Sequence, residues 1–408
     1  MSTNTGRTAS GAAAALALLG ARGSMSRTMI ARELGISPAT VTQIIKGLVE
    51  RGLVVELESV PSGGGRPSRM LGLRKPAAVR AIGAKVTAAH VAIVSVGLDG
   101  VEHVQSARPF DPFRPDSLDT LGRILRDAVD AEDGLVLGVG VGIPGSVDDQ
   151  ASGVVTAPTL GWISVPVGDS LRRALGVPVL VENDVNTLAT AEHLYGVGGG
   201  HSSFLVLTIG RGIGAGLVVD GGIRRGATGG AGEIGHVPVV DDGPLCECGN
   251  HGCLESLIGE AALRDRAIAA GILGADGTVA DLLALADCGD TSAQELYAAA
   301  GRTLGRTLAG VVHVVDPELV VLLGEGTPAW PHWRVGFEAA FRGHLLPSRR
   351  AIPFEVESWD EGRWALGAAA LVLAAPFGSG DRSGEQGRQI MARMQNEAGS
   401  APTTGRTR

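Results

Sequence analysis

The pattern of apolar residues changes near residue 80, and this change constrains the fold of the 408-residue chain more than any other feature. Beyond that point, apolar runs of strand length alternate with helical segments, which is typical of an α/β architecture. The predicted strands are residues 91–96, 135–143, 177–181, 204–209 and 320–323. Residues 80–100 and 203–222 each combine two strands with a closing Asp-Gly pair, so we expect a duplicated, two-lobed architecture.

The first seventy-odd residues follow a different plan, that of a winged helix-turn-helix. The predicted elements are helices over 10–21, 26–34 and 38–52, then strands over 53–59 and 69–73 around a loop at 61–67. Gly35 can take a positive φ after the second helix, and Ser37 followed by Pro38 supplies an N-cap and a first-turn proline for the third.

Charge marks the same end of the chain. Residues 1–80 carry 11 Lys and Arg against 4 Asp and Glu, whereas the whole chain has a net charge of −8. A basic helix-turn-helix is expected to contact phosphate and to place its third helix in the major groove of double-stranded DNA. The predicted contacts are Ser37, Thr40, Thr42, Gln43 and Lys46 on that helix and Arg66 and Arg69 on the wing. A unit that serves protein contacts is the alternative, which the basic surplus disfavours.

Three of the four cysteines lie within one eight-residue, glycine-bearing loop: Cys246, Cys248 and Cys253. This spacing suits a tetrahedral, fully protein-ligated and therefore structural Zn²⁺ site better than a secreted disulfide framework. His236 and His251 are both candidates for the fourth ligand, and cysteines that lie together without an ion are the alternative. The apolar run at 11–20 lacks a credible cleavage site, so we expect a cytoplasmic protein without a membrane segment.

Five segments follow one another in an order that resembles the ROK family of repressors, open reading frames and kinases. They are 142-GIPG-145, 182-ENDVN-186, 207-LTIGRGIGAG-216, 229-GGAGEIGH-236 and 246-CECGNHGCLE-255. The resemblance spans about residues 24–375 and implies a two-lobed, actin-like and hexokinase-like (ribonuclease H-like) α/β module behind the winged helix-turn-helix. It also favours His236 over His251 as the fourth zinc ligand.

The expected domains combine this resemblance with composition. They are a DNA-binding domain at 1–75, a first lobe at 76–190, a second lobe with the zinc loop at 191–376 whose last helix returns to the first lobe, and a disordered tail at 377–408. The tail is assigned from its polar composition, rich in Gly, Ser, Arg and Thr.

The resemblance also implies a sugar site. The family's sugar-binding groups fall on Gly145, Ser146, Thr159, Asn183, Asp184, Glu233, His236 and Glu255. Asp184 matches the general base of the kinases, and His236 matches a residue that bridges the metal and the sugar. Considered alone, Asn183-Asp184 would be a turn or helix cap, and Glu233 and Glu255 would be helix-end carboxylates; only their joint order favours the sugar site.

The chain departs from the kinases where they hold ATP. Active members carry an Asp-x-Gly-Gly-Thr-Lys turn, but here Lys85 stands in place of the Asp, and Thr87 and Ala88 stand in place of the glycines. A cation cannot ligate Mg²⁺, and a Cβ crowds a phosphate turn. The remnant of the nucleotide loops comprises Lys85, Thr87, Arg211, Gly212 and Gly214, with Arg211 replacing the usual hydroxyl residue.

These features predict a sugar-responsive transcriptional repressor of carbohydrate metabolism genes that binds its sugar without efficient phosphotransfer, and they argue against ATP and Mg²⁺ as cofactors. The expected partners are a double-stranded DNA operator, a sugar or sugar-derivative effector, and further copies of the chain in a homodimer or homotetramer. The alternatives are an active ATP-dependent sugar kinase with a DNA-binding arm, and a scaffold that binds a phosphotransferase protein.

Overall fold

The computed structural model describes residues 11–12, 14–16, 18–19, 23–50, 53–62, 65–73, 79–98, 100–150, 152–375 and 384–400. The strands are β1 Met25–Ser26, β2 Val54–Ser62, β3 Gly65–Leu73, β4 Val79–Val86, β5 His90–Gly97, β6 Glu102–Pro109, β7 Leu135–Ile143, β8 Ser146–Val147, β9 Val154–Ala157, β10 Trp162–Pro166, β11 Val179–Asn183, β12 Phe204–Ile209, β13 Ile213–Val219, β14 Gly222–Ile223, β15 Leu319–Leu323 and β16 Phe354–Val356.

The α-helices are α1 Arg27–Glu33, α2 Pro38–Glu50, α3 Ser117–Asp130, α4 Val167–Leu175, α5 Asp184–Leu194, α6 Glu255–Ile258, α7 Glu260–Ala269, α8 Val279–Asp287, α9 Thr291–Val315, α10 Trp330–His344, α11 Gly362–Ala374 and α12 Gly384–Ser400. The backbone is also helical over the described residues between 11 and 19.

The N-terminal elements form the predicted winged helix-turn-helix. Ser26 caps α1 by accepting the Met29 N–H, at 3.2 Å, and Ser37 caps α2 by accepting the Thr40 N–H, at 3.1 Å. Gly35 takes a φ of +63° in the turn between the two helices. The strands β2 and β3 pair antiparallel, with β1 on the far side of β3, and both wing strands are longer than predicted.

The described chain divides into two compact units, of which the first comprises 1–202, 220–229 and 362–408. Besides the winged helix-turn-helix, this first unit holds a five-stranded sheet in the order β11-β7-β4-β5-β6, in which β11, β7 and β4 are parallel, and a small sheet in the order β10-β9-β8. The first unit therefore extends past the predicted lobe boundary at residue 190.

Helix α11 lies across the larger sheet of the first unit. Any side chain on Gly83 of β4 would overlap the carbonyl oxygen of Ala365, and one on Gly140 of β7 would overlap that of Ala368. The alanine-rich helix packs this closely because the two strands carry glycine where it crosses them.

The predicted disorder of the C-terminal tail is wrong for the part that the structure describes, because Gly384–Ser400 is helix α12. Ile390 and Met394 of this helix are buried. The Gln386 side chain accepts the Val179 N–H, at 3.2 Å, and the Arg393 guanidinium donates to the Val136 carbonyl, at 2.8 Å. Two apolar side chains one helical turn apart and two side-chain hydrogen bonds thus hold this largely polar helix against the first unit.

One hydrophobic core in the first unit contains side chains from the helix-turn-helix, the sheet and the last two helices. Its members include Ile30, Ile45, Leu48, Leu137, Leu180, Ala370, Leu371, Ile390 and Met394. The DNA-binding fold is therefore packed into the same core as the first lobe.

The second unit comprises 203–219 and 230–361. Its sheet has the strand order β13-β12-β15-β16, in which β12, β15 and β16 are parallel and β13 is antiparallel to β12. Helices α9 and α10 pack on one another around Tyr297, Trp333, Phe337 and Phe341. Among the described residues, none of the helices has the length and apolar character needed to span a bilayer.

Candidate functional site

The cysteine loop of the second unit brings four potential metal ligands together. The ligand atoms of His236, Cys246, Cys248 and Cys253 all lie within 4.8 Å of one another. The Cys248 and Cys253 sulfurs are 3.7 Å apart, and tetrahedral Zn²⁺ with Zn–S bonds of about 2.3 Å requires sulfur atoms about 3.8 Å apart. The four side chains fit a tetrahedral cation.

His236, and not His251, completes this cluster. The His236 Nδ1 lies 3.5 Å from the Cys246 sulfur, whereas the His251 Nδ1 lies 3.1 Å from the Gly243 carbonyl oxygen. Burial raises the pKa of the Cys253 thiol to about 12 and also raises the pKa of Cys246. The Asn250 backbone N–H lowers the pKa of Cys248. Thiols ligate as thiolates, so binding of a cation here releases protons.

The other ring nitrogen of His236 faces away from the cysteines. Its Nε2 lies 3.9 Å from the Glu233 carboxylate. Glu255, at the start of α6, accepts the Ile213 N–H through Oε2, at 2.8 Å, and the same oxygen lies near Gly235. The second unit thus places the predicted sugar residues Glu233, His236 and Glu255 around one turn, with His236 between the metal ligands and the carboxylate of Glu233.

In the first unit, Asn183 ends β11 and caps α5. Its Oδ1 accepts the N–H groups of Val185, at 2.9 Å, and Asn186, at 3.1 Å, and its Nδ2 donates to the Gly145 carbonyl, at 3.0 Å. The turn-and-cap role considered for this pair is therefore present, and it coexists with a contact to a second predicted sugar residue.

The β8 strand and the short 3-10 turn Pro158–Leu160 after β9 hold two more predicted sugar residues of the first unit. Ser146 Oγ donates to the Thr156 carbonyl, at 3.5 Å, and Thr159 Oγ1 donates to the Pro144 carbonyl, at 3.4 Å. Both are long hydrogen bonds, and the Thr159 side chain is exposed, so these hydroxyls can turn to other partners.

Asp184 is paired with a lysine that the kinase pattern lacks. The Lys85 ammonium, on β4, is ion-paired with Asp184 Oδ2 and lies 4.4 Å from the ring centroid of Trp364 on α11. The other oxygen, Oδ1, accepts the Val185 N–H at 2.9 Å. Lys85 is 4% exposed and Asp184 is 8% exposed, so each needs the other as its counter-ion.

The second substituted position also has a carboxylate nearby, but its cation is mostly exposed. Arg211 lies 3.7 Å from the Glu325 carboxylate in the second unit. Gly212 lies against Glu255 Oε2, and the Gly214 N–H donates to Thr208 Oγ1 at 3.2 Å. Thr87 closes the turn between β4 and β5 by donating to the His90 carbonyl, at 2.8 Å. Of these nucleotide-loop positions, the two cationic ones are each paired with a carboxylate of the protein.

Sequence reasoning missed a buried carboxylate beside the predicted sugar residues. Glu182 is 1% exposed and accepts hydrogen bonds from Gln150, at 3.1 Å, and Asn186, at 3.1 Å, as well as from the guanidinium of Arg225. The only sequence signal was the position of Glu182 directly before Asn183-Asp184.

The predicted DNA contacts of α2 lie on one exposed face. Thr42, Gln43 and Lys46 are exposed, while Val41, Ile44, Ile45 and Leu48 are buried. The hydroxyls of Ser37 and Thr40 lie 2.8 Å apart at the helix start, where the Ser37 oxygen serves the cap. Thr42 donates to the Pro38 carbonyl, at 2.8 Å, so its hydroxyl already has a partner within the helix.

The wing is more constrained than predicted. Arg69 and Arg27 are both ion-paired with Glu56, and the side-chain hydrogen bond from Arg27 lowers the pKa of that carboxyl. Arg69 is still more than half exposed, so it can reach a phosphate only by sharing or leaving Glu56. Arg66 lies in β3, but its side chain is outside the described part of the structure.

Comparison with known families agrees with this division of the chain. The model of the ROK family matches residues 81–375. The chain belongs to the ROK family. A model of the MarR family matches residues 5–64, the helix-turn-helix end.

Relatives of this ROK chain include regulators and kinases. It is 29% identical to the DNA-binding transcriptional dual regulator NagC of Escherichia coli K12 over 374 residues, which cover 89% of this chain and 92% of NagC. It is 30% identical to the xylose repressor of Caldicellulosiruptor bescii, with coverage of 59% and 61%, and 36% identical to the glucokinase of Thermotoga maritima, with coverage of 46% and 63%.

Solved structures of ROK proteins show the same fold. A ROK family transcriptional regulator homologous to E. coli MLC matches 96% of this chain and 99% of its own with a TM-score of 0.73, at 23% identity. The glucokinase of Streptomyces griseus, solved with glucose and AMPPNP, matches 72% of this chain and 98% of its own with a TM-score of 0.63, at 29% identity. The first match includes the winged helix-turn-helix, and the predicted fold class is confirmed.

Proposed function

We propose that this ROK protein is a sugar-responsive, DNA-binding repressor of carbohydrate metabolism genes whose sugar site does not support efficient phosphotransfer. The observation that carries the proposal is the buried Lys85–Asp184 pair in a chain that also has a winged helix-turn-helix. The carboxylate that a kinase would use as a base is engaged by an ammonium, and that ammonium stands where Mg²⁺ would need a carboxylate.

Its relatives support this choice. NagC is a transcriptional dual regulator, and the relative from Caldicellulosiruptor bescii is a xylose repressor. The glucokinase of Thermotoga maritima covers 46% of this chain and that of Streptomyces griseus 72%, against 89% for NagC. We assign the sugar contacts to Gly145, Ser146, Thr159, Asn183, Asp184, Glu233, His236 and Glu255.

We assign the cysteine cluster to structural zinc. Three thiolates and one imidazole complete a tetrahedral set, so no position is left open for a water molecule or substrate. Zinc bound there would fix the orientation of His236, whose Nε2 then stays available to a sugar hydroxyl. The metal braces the loop and supplies no reactive group.

Helix α5 connects the predicted sugar residue Asp184 to the helix-turn-helix within the first unit. It begins at Asp184 and ends at Leu194, where the ring of Tyr195 packs against Gly100. Further along the chain, a Cβ on Gly200 would lie 3.1 Å from the carbonyl oxygen of Leu34, at the end of α1. A sugar that shifts Asp184 would therefore change the support of the helix-turn-helix, by an amount set by its different affinities for the two arrangements.

The test combines three measurements on zinc-replete protein. Glucose, xylose, N-acetylglucosamine and their phosphates are screened by thermal shift, where a ligand at about 100 times its Kd adds about 2.7 kcal/mol to the free energy of unfolding. Binding to genomic DNA fragments is then repeated with and without the sugar that stabilises the protein. We expect one sugar class to bind and to change DNA affinity.

A coupled ATPase assay with the same sugars completes the test. Sugar phosphorylation that disappears in Asp184→Asn would show a working kinase and contradict the proposal. So would a protein that ignores DNA. If every sugar fails while DNA still binds, a regulator that responds to a phosphotransferase protein replaces the sugar-responsive one.

A further inference from the structure

Glu182 is a saturated acceptor at the point where the sugar-binding segment begins. Its Oε1 accepts the Asn183 N–H, at 3.0 Å, and the Asn186 amide, at 3.1 Å. Its Oε2 accepts the Gln150 amide, at 3.1 Å, and the guanidinium of Arg225. Four donors for one carboxylate of 1% exposure are what a buried charge needs.

These donors come from three separate segments. Gln150 follows the β8 strand, Asn183 and Asn186 belong to the turn into α5, and Arg225 lies in the segment 220–229. That last segment is also seated on the β8 strand, because any side chain on Gly229 would overlap the Val147 carbonyl. Glu182 thus joins the backbone that carries Asn183 and Asp184 to the backbone that follows Gly145 and Ser146.

Arg225 is the only cation among these donors. Its side chain is 16% exposed in its pair with Glu182, so it neutralises the carboxylate largely away from water. Removing one partner of a buried ion pair leaves an uncompensated charge, which the surrounding segments must then accommodate by moving. The nearest of these is the Asn183–Asn186 turn, which Glu182 holds on both sides.

We infer that Glu182 and Arg225 are a positioning pair that sets the geometry of Asn183 and Asp184 toward the hydroxyls of the sugar, with Arg225 in the role of a positioning residue. The inference rests on the proposed sugar function. Hydroxyl recognition depends on hydrogen bonds of defined length and angle, so a loosened turn loses affinity although every sugar contact is still present.

The experiment compares Arg225→Met with Arg225→Lys in the full chain, with Arg224→Met as the matched control. Arg224 is the exposed neighbour of Arg225, so its change removes an equal charge without touching Glu182. Calorimetric titrations with glucose, xylose and N-acetylglucosamine measure sugar affinity. Amide hydrogen exchange is followed at 182–190 and, as a reference, at 204–209.

We expect Arg225→Met to lower the affinity for the sugar that binds the wild type by about tenfold. Exchange should become faster at 182–190 and stay unchanged at 204–209. Arg225→Lys should restore most of the affinity, and Arg224→Met should match the wild type. Wild-type affinity and wild-type exchange in Arg225→Met would overturn the inference.

A double variant separates positioning from stability. Glu182→Gln in Arg225→Met removes the unpaired buried charge, so the melting temperature should recover while the sugar affinity stays low. If affinity recovers together with the melting temperature, the pair only stabilises the fold and the inference is wrong. If no sugar binds the wild type, the proposed function fails, and the exchange at 182–190 still decides whether Arg225 orders the turn.

Discussion

At the scale of single residues, cations at two positions distinguish this chain from the kinase pattern. Lys85 pairs with Asp184 in the first unit, and Arg211 lies near Glu325 in the second. Both cations stand where kinases of the family handle nucleotide phosphate, and both face carboxylates of the protein. The Lys85 pair is buried, whereas Arg211 is 67% exposed, so the two substitutions differ in how firmly the cation is held.

Lys85→Met should cost the protein about 3 kcal/mol of unfolding free energy, because it leaves the Asp184 carboxylate buried without its cation. Urea unfolding measures this loss. Lys46→Met is the control, because Lys46 is 74% exposed and its ion pair with Glu50, at 3.9 Å, is a weak surface pair. Equal stability of Lys85→Met and wild type would show that the pair contributes nothing net.

His193, in α5, gives the first unit a pH dependence. Burial lowers its pKa from 6.5 to about 4, so the folded protein keeps the ring neutral while the unfolded chain takes up a proton below pH 6.5. The free energy of unfolding should therefore fall as the pH drops from about 6.5 to about 4, by up to about 3 kcal/mol. Denaturant unfolding at a series of pH values, with His193→Gln as the comparison, should show a flatter profile for the variant; identical slopes would contradict the assignment.

At the scale of elements, α2 and the wing are expected to divide the work of DNA binding. Gln43→Ala should relax the preference for operator sequence, because an amide that reads a base edge contributes about 1–3 kcal/mol of discrimination. Arg66→Ala should weaken binding to all sequences and reduce the salt slope by about one, as loss of a phosphate contact does. Binding to operator and random duplexes at several salt concentrations measures both, and the reverse outcome would exchange the two roles.

The cysteine loop makes a prediction about metal content. Cys248→Ser should lose zinc and lower the melting temperature, whereas His251→Ala and Cys288→Ser should keep the metal, because neither residue belongs to the four-ligand cluster. Elemental analysis of purified variants tests this. Zinc loss in His251→Ala would show that His251, and not His236, is the fourth ligand.

Two strands, Leu135–Ile143 and Phe204–Ile209, were predicted to the residue, because burial leaves one consistent apolar signal. The strands predicted at 91–96, 177–181 and 320–323 differ from the structure by one or two residues at their ends. Helix α12 was missed because its only regular apolar signal is the pair Ile390 and Met394. The Glu182 network was missed for another reason: its partners Gln150 and Arg225 lie 32 and 43 residues away, and no local pattern connects them.

At the scale of the whole molecule, the metal cluster and the three predicted sugar residues of the second unit lie on one continuous stretch, from Glu233 to Glu255. The first unit gathers the remaining sugar residues, the internal Lys85 cation and the DNA head. The first unit therefore holds five of the predicted sugar residues together with the helix-turn-helix, and the second unit holds three.

The core that includes Ile30, Ile45, Leu180 and Ile390 has a practical consequence for protein engineering. If the winged helix-turn-helix were expressed alone, ending near residue 75, apolar side chains that are buried in the full chain would be exposed to water. Its stability would fall with the apolar area exposed. Chimeric regulators that exchange the winged helix-turn-helix between ROK proteins should therefore fold only when the side chains that pack against it, including those of α12, are exchanged with it.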